Sequence, residues 1–266
     1  MPNPLLRRVP RDEMTPRLQG EFDAAKELLI KLAPAHLLEE RPLAGDLVKA
    51  GDRVLLVTPI DLAAPKGRLI LPQVQVIREL LDHDAVVTVV KEREPAYALQ
   101  TLKEPPDLVI TDSQVVLKVV NDLPPEVKMT TFSILFARYK GDLDVLAEGV
   151  RQIDKLRDGD KILIAEACSH HVQADDIGRV KIPRWLSQFT GKELEYEVYA
   201  GHDFPPNLED FALVIHCGAC MLNQMEMNRR IVEAQRRGVP ITNYGLAISK
   251  VQGVFERAVA PLYPQG

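Results

Sequence analysis

The chain has 266 residues, 46% of them hydrophobic and 27% charged, with a net charge of −5. This length allows two modest domains, and the composition is typical of a soluble globular protein. A mildly acidic chain lacks the positive field that would favour nucleic acid or an anionic membrane. No apolar run approaches the ~20 residues that span a bilayer, and no apolar segment near the N-terminus resembles a secretory signal. We therefore expect a cytoplasmic protein that binds neither nucleic acid nor membrane.

The first predicted element lies in a leader, residues 1–45, where apolar spacing over 17–32 indicates a helix. From Gly51 onward, short apolar runs alternate with helical stretches. In this first unit we expect strands at 53–58, 85–90 and 108–111, and helices at 72–81, 95–102 and 113–120. Pro124-Pro125 indicates a boundary, because consecutive prolines continue neither kind of element.

The second unit repeats the alternation. We expect strands at 129–136, 161–167, 194–199, 211–215 and 240–244, and helices at 143–156, 183–189, 223–237 and 246–259. Continuous Val, Ile and Leu strands separated by helices are typical of parallel sheets covered on both faces. The sequence therefore predicts an α/β fold in which two tandem domains, 46–125 and 126–266, follow the leader.

All three cysteines fall in one pattern, with Cys168 in C-S-H and the pair Cys217 and Cys220 in H-C-G-A-C. Cys168 follows one predicted buried strand, and Cys217 lies at the end of another. Ligand sites in parallel α/β sheets gather at the carboxyl ends of strands, so the two segments can meet there. Because thiolates are the preferred ligands of soft metals, the pattern predicts one metal or iron–sulfur site.

Three thiolates leave one position of a four-ligand site open. His170, His171 and His216 are nearby candidates for it, and Asp175 and Asp176 are others. A weak or exchangeable fourth ligand would leave one metal accessible to an incoming group. The same ligand types fit structural zinc, whereas three cysteines without a compact zinc-ribbon hairpin favour iron–sulfur.

Several segments resemble one known family. The C-x-H and H-C-x-x-C motifs are similar to the cluster-binding motif of the HydF family, the scaffold proteins of FeFe-hydrogenase maturation. Residues 58–61 (TPID) and 64–75 (APKGRLILPQVQ) resemble the dimerisation domain of that family. Residues 132–143 (FSILFARYKGDL) and 176–185 (DIGRVKIPRW) resemble its cluster domain. The resemblance extends from about Gly45 almost to the C-terminus.

The resemblance implies a 4Fe–4S cluster held by Cys168, Cys217 and Cys220. Asp175 is the preferred fourth ligand, because a hard carboxylate binds cluster iron weakly and leaves easily; His216 is the alternative. The family implies a scaffold or carrier that receives a dinuclear iron precursor bearing CO, cyanide and a dithiolate bridge. Two radical-SAM maturases make that precursor, and the scaffold transfers it to the apo-hydrogenase.

Further residues are expected to assist these steps. Three that lie close to the cysteines in the sequence would support the ligands or contact the precursor: His170, His171 and Arg179. Three more lie in a Pro/Gly loop after the first strand and would line a subunit interface or an anionic pocket: Asp61, Lys66 and Arg68. The resemblance implies a homodimer that forms through the first domain.

Family members normally begin with a GTPase domain, and these 266 residues contain no G-x-x-x-x-G-K-[ST] loop to cradle phosphates. The helix at 17–32 resembles the last helix of that domain, so we expect a naturally reduced or truncated form and transfer no nucleotide chemistry to it. No catalytic site is recognised. Two alternatives stay open: a cluster enzyme with an open iron as Lewis acid, and a zinc-stabilised interaction module.

Overall fold

The N-terminal helix forms a unit of its own in the computed structural model, which describes residues 15–32, 41–59, 69–167, 176–201, 204–219 and 222–263. The chain divides into two units, Met1–Arg41 and Pro42–Gly266. The described part of the first unit contains α1 (Pro16–Leu32), as predicted from its apolar spacing. No helix in the described ranges is long and apolar enough to cross a membrane.

Two four-stranded sheets form the centre of the second unit. Their strands are β1 (Arg53–Val57), β2 (Val86–Val90), β3 (Leu108–Thr111), β4 (Lys128–Thr131), β5 (Lys161–Glu166), β6 (Glu195–Ala200), β7 (Leu213–His216) and β8 (Ile241–Asn243). The order is β2-β1-β3-β4 in the first sheet and β6-β5-β7-β8 in the second, and every pairing is parallel. The two sheets thus share one topology, and the predicted α/β fold with parallel sheets is confirmed.

Helices connect the strands and cover the sheets, as parallel pairing requires. The helices of the second unit are α2 (Leu71–Asp82), α3 (Pro95–Thr101), α4 (Val116–Asp122), α5 (Phe132–Lys140), α6 (Leu143–Val150), α7 (Ile182–Thr190), α8 (Gln224–Arg236), α9 (Tyr244–Val251) and α10 (Phe255–Val259). The central strands β1, β3, β5 and β7 are almost wholly buried, since both of their faces carry apolar side chains. Their buried faces form the core.

The strand predicted at 129–136 is wrong in its second half. β4 ends at Thr131, whose Oγ1 accepts a hydrogen bond from the N–H of Ile134 over 3.2 Å and caps α5. The apolar run that follows is buried in a helix, and apolar runs of this length do not distinguish the two elements. β4 also pairs with β3, so the first sheet includes a strand from beyond Pro124-Pro125. The helix predicted at 246–259 is interrupted at Gly253, where φ is +72°.

The carboxyl ends of the two sheets lie close to each other. Asn243, at the end of β8, donates from Nδ2 to the carbonyl oxygen of Ser133, just after β4, over 3.0 Å. A Cβ atom at Gly245 would lie only 2.3 Å from the Cβ of Ser133. Lys181 donates to the side chain of Gln114, which follows β3, over 3.0 Å. Loops at the carboxyl end of either sheet are therefore within reach of the other sheet.

Helix α6 approaches β8 so closely at Gly149 that a Cβ atom there would lie 1.9 Å from the carbonyl oxygen of Ile241. A backbone atom cannot move aside as a side-chain tip can. We expect Gly149→Ala to lower the free energy of unfolding by about 1–3 kcal/mol through overpacking, measured by urea denaturation. Gly20→Ala in α1 is the control, because nothing lies within 4 Å of its added methyl group. An unchanged midpoint for Gly149→Ala would contradict the close approach.

Candidate metal centre

The strands that lead to Cys168 and Cys217 are neighbours in the second sheet. β5 pairs with β7, and the N–H of Cys217 donates to the carbonyl oxygen of Ala165 over 2.9 Å. The N–H of Ala167 in turn donates to Cys217 Sγ over 3.3 Å. Ala167 directly precedes Cys168 in the sequence. The chain leaving β5 therefore passes beside the sulfur of Cys217.

Four of the predicted site residues are described by the structure: Cys217, His216, Asp176 and Arg179. The others lie outside the described residues: Cys168, Cys220, Asp175, His170 and His171 around the predicted cluster, and Asp61, Lys66 and Arg68 in the loop after β1. Among the residues that are described, no group of three or more His, Cys, Asp or Glu side chains could hold a metal ion. The complete ligand set thus stays a prediction.

The surroundings of Cys217 suit a sulfur ligand. The side chain is buried, and the N–H of Ala167 points at its sulfur. A hydrogen bond from an amide favours the charged thiolate, and such bonds also tune iron–sulfur clusters. Ala219, two residues later, has a φ of +52°. This left-handed conformation costs a non-glycine residue about 1–2 kcal/mol, so the surrounding contacts must hold the loop in place.

His216 is committed to contacts inside the protein. Its side chain is fully buried, with Nε2 2.9 Å from Nη1 of Arg230 and Nδ1 2.7 Å from the carbonyl oxygen of Cys217. Because a guanidinium only donates, Nε2 accepts, and Nδ1 carries the proton and donates to the carbonyl. Both ring nitrogens are thus in use. As a fourth ligand, His216 would have to give up one of these bonds.

Arg230 joins several chain segments near the ends of β6 and β7. Only 2% of it is exposed, and besides His216 it donates to the carbonyl oxygen of Gly201. Its Nε lies 3.4 Å from Glu226, and its guanidinium lies 5.7 Å from the ring centroid of Phe204. A buried guanidinium is tolerated only with such partners. Arg230 thereby fixes the orientation of the His216 ring.

These contacts set the charges around the site. Burial and, to a smaller extent, the positive charge of Arg230 lower the pKa of His216 to about 4, against the opposite effect of the hydrogen bond to the Cys217 carbonyl. His216 is therefore neutral at neutral pH. The hydrogen bond from Arg229 and, to a smaller extent, the one from Arg230 lower the pKa of Glu226 to about 2.

Arg179 forms a bidentate ion pair with Glu166, the last residue of β5. Nε lies 3.0 Å from Oε1, and Nη2 lies 2.7 Å from Oε2. The Glu166 side chain is 2% exposed, and its hydrogen bonds raise the pKa of Arg179. Asp176 accepts the N–H of Arg179 over 2.9 Å and so caps the helical turn Ile177–Lys181, which precedes α7. Arg179 thus lies at the carboxyl end of β5, where Glu166 precedes Cys168 by two residues in the sequence.

Sequence reasoning missed three charged residues at this end of the sheet: Lys140, Glu166 and Arg230. Lys140 is buried at the end of α5, and Nζ donates to the carbonyl oxygens of Ala219 and Leu222 over 2.9 and 2.8 Å. A lone charge in an apolar run was an available signal for Glu166, whereas Lys140 lies between Arg138 and Asp142 in the sequence and offered none. Arg230 lies in a polar helix and offered no such signal.

Two family models match the chain. Residues 43–141 match the hydrogen maturase F dimerization domain, and residues 144–261 match the hydrogen maturase F tetramerization domain. The chain belongs to the HydF family. Its function therefore lies in hydrogenase maturation, and the two matched domains support self-association.

Other comparisons add nothing on function. No curated protein matches the chain. An NtrC family transcriptional regulator from Clostridium acetobutylicum is 10% identical, with 77% of this chain and 97% of that chain covered and a TM-score of 0.25. A 5,10-methylenetetrahydrofolate dehydrogenase from the silkworm Bombyx mori is 14% identical, with 91% and 95% covered and a TM-score of 0.25. Similarity this low carries no argument.

The buried, neutral His216 makes stability depend on pH. Its pKa is about 4 in the folded protein and near 6.5 when exposed, so between these values the unfolded chain binds one more proton. The free energy of unfolding should fall by on the order of 3 kcal/mol from about pH 6.5 to about pH 4. Glu226 contributes only at lower pH, as its pKa moves from 4.5 to about 2.

Urea denaturation of the metal-free protein across this range measures the effect. His216→Gln removes the titrating ring and keeps an amide that can donate and accept, so its stability should change less over the same range. An equal loss of stability in both proteins would contradict the assignment to His216.

Proposed function

We propose that this chain is a scaffold of hydrogenase maturation that binds a 4Fe–4S cluster through Cys168, Cys217 and Cys220. It receives a dinuclear iron precursor from radical-SAM maturases, holds it, and transfers it to apo FeFe-hydrogenase. One observation carries the proposal. The N–H of Ala167 lies 3.3 Å from Cys217 Sγ, which places the strand leading to Cys168 beside that sulfur.

The donor set fits an iron–sulfur cluster. Thiolates are the usual ligands of such clusters, and amide hydrogen bonds to sulfur are typical of their surroundings. The carboxyl end of a parallel sheet is also where chain segments diverge and leave space for a ligand. When bound, the cluster would supply an iron with one replaceable ligand, to which cargo can attach. Zinc fits the same thiolates and is therefore an outcome that the experiment must separate.

The contacts of His216 favour Asp175 as the proposed fourth ligand. His216 already donates to the Cys217 carbonyl and accepts from Arg230, and leaving Arg230 without that acceptor would cost free energy. Asp175, seven residues after Cys168 in the sequence, is the other candidate. Its oxygen is a hard ligand, so it would bind iron weakly and leave when cargo arrives.

Positive side chains surround the proposed site. Arg179 and Lys140 contact the segments next to the cysteines, and Arg230 lies behind His216. A cluster with thiolate ligands is anionic, and a precursor that carries cyanide adds negative charge. Glu166 and Glu226 already offset part of the charge of Arg179 and Arg230. The charge that remains, together with that of Lys140, would stabilise both, because charges interact strongly where water is excluded. The chain thus contributes sulfur ligands and a compensating field.

Self-association is proposed to use the β2 edge of the first sheet. β2 consists of four valines and a threonine, and Val86 and Val89 are 56% and 43% exposed. Exposed apolar residues on the adjacent helix α2 extend this surface: Leu71, Val74 and Leu81. Edge strands normally carry charges or are covered, so an uncharged exposed edge favours pairing with another chain.

The other three sheet edges that the structure describes are either covered by a helix or carry charged side chains. α10 packs against β4, α6 packs against β8, and β6 exposes Glu195 and Glu197. Among these four edges, β2 is therefore the best surface for pairing with a second copy. The dimer would join two first sheets and leave each cysteine site in its own chain.

Cys217→Ser should abolish cluster loading and activation of apo-hydrogenase, because serine offers no soft ligand. Anaerobic reconstitution should give the wild-type protein a broad visible absorbance and about four iron atoms per chain. Met225→Ser is the matched control: it removes an exposed sulfur at the start of α8, and loading should persist. Full activation by Cys217→Ser would refute the scaffold, and colourless wild-type protein with stoichiometric zinc would support the zinc module.

Val89→Lys should shift the chain toward a smaller oligomer, because a charge on the β2 edge opposes pairing. Analytical ultracentrifugation measures the change. Leu117→Lys is the matched control, since Leu117 is 44% exposed on α4, which follows β3 rather than β2. If both variants retain the wild-type sedimentation coefficient, the β2 edge is not the interface.

A further inference from the structure

Lys140 reaches the cysteine loop from outside the second sheet. It is the last residue of α5, which follows β4 of the first sheet, and only 8% of it is exposed. Its Nζ donates to the carbonyl oxygen of Ala219 over 2.9 Å and to that of Leu222 over 2.8 Å. These two residues flank Cys220 and Met221 in the sequence. One ammonium group thus holds the chain on both sides of Cys220.

The position of Lys140 is itself fixed by packing. Its Nζ lies 5.2 Å from the ring centroid of Phe136, one turn earlier in α5. Both Phe136 and the helix around it are buried. The ammonium therefore projects from a rigid support. Ala219, one of its two acceptors, has a φ of +52°, and a non-glycine residue keeps this conformation only where surrounding contacts hold it.

Lys140 and the cysteine loop belong to different segments of the family. Lys140 lies within residues 43–141, which match the dimerization domain, and the loop lies within 144–261, which match the tetramerization domain. The separation in sequence is 79 and 82 residues for the two hydrogen bonds. The conformation of the cysteine loop therefore depends on a side chain from the other matched domain.

We propose that Lys140 is a positioning residue that holds Cys220 for cluster binding and places a positive charge beside the cluster. This rests on the proposed function. The two hydrogen bonds restrict the conformation of the loop before metal binds, so the loop loses less conformational entropy when the metal binds. The ammonium charge also favours the more negative, reduced state of the cluster. The segment that matches the dimerization domain, residues 43–141, thereby contributes to the metal centre as well as to self-association.

Lys140→Met, in the full-length chain, keeps the apolar stem and removes the donors and the charge. Loss of a residue that supports metal ligands typically costs roughly 10- to 100-fold in metal affinity. We expect iron loss to a chelator to accelerate by a similar factor and the cluster reduction potential to shift to lower values. Lys140→Gln should lower the potential as well, whereas Lys140→Arg should retain it. Lys140→Gln decides the matter if Lys140→Met does not fold.

Lys250→Met is the matched control. Lys250 also lies over an aromatic ring, 6.0 Å from the centroid of Phe189, and it donates to Asp154. Its hydrogen bonds do not involve the cysteine loop, so the chelator rate and the potential should match those of the wild-type protein. Wild-type values for Lys140→Met or Lys140→Gln would overturn the proposal, and so would an equal shift in Lys250→Met.

A second measurement needs no cluster. In metal-free protein, iodoacetamide labelling followed by mass spectrometry reports the reactivity of Cys220 and Cys217 separately. Lys140→Met should accelerate the labelling of Cys220 more than that of Cys217, which retains its contact with Ala167. Equal rates of Cys220 labelling in the wild-type and variant proteins would overturn the proposal that Lys140 positions Cys220. Wild-type protein that takes up no iron would contradict the proposed function, while this comparison would still decide the role of Lys140.

Discussion

The parallel pairing of β5 with β7 is the constraint on which the metal centre depends. It sets Ala165 opposite His216, so β7 ends one residue before β5 and both chains leave the sheet at the same edge. The N–H of Ala167 reaches the sulfur of Cys217 as a direct consequence. Because parallel strands end at the same edge, a gap of 48 residues between Cys168 and Cys217 becomes a short distance between the strand ends that precede them.

Three buried charges surround that edge, and each brings a different part of the chain to it. Lys140 arrives from the first sheet, Glu166 ends β5 and meets Arg179, and Arg230 arrives from α8. A charge removed from water is costly unless it is hydrogen-bonded, and each of these has such partners. The same partners that make burial tolerable also restrict the loops next to the cysteines. The hydrogen bonds that stabilise the folded protein are therefore the same ones that restrict the loops of the proposed metal centre.

Most of the architecture could be predicted from hydrophobic patterns. The strands β1, β3, β5 and β7 are continuous apolar runs, which only a sheet covered on both faces can bury. The prediction failed at 132–136, where an equally apolar run forms a helix because Thr131 caps it. Local pattern does not separate a buried strand from a buried helix of similar length. In the candidate site, the sequence indicated the cysteines but not the contacts that orient them.

The sequence by itself determined the three-cysteine pattern, the alternation of strands and helices, and membership of the HydF family. The tertiary structure decided which side chains support that pattern. Lys140 contacts carbonyls 79 and 82 residues away, and His216 is held by an arginine 14 residues later. Such contacts follow from how helices dock on sheets, and no local periodicity records them. Ligand type is a property of residues, whereas ligand orientation is a property of the packed fold.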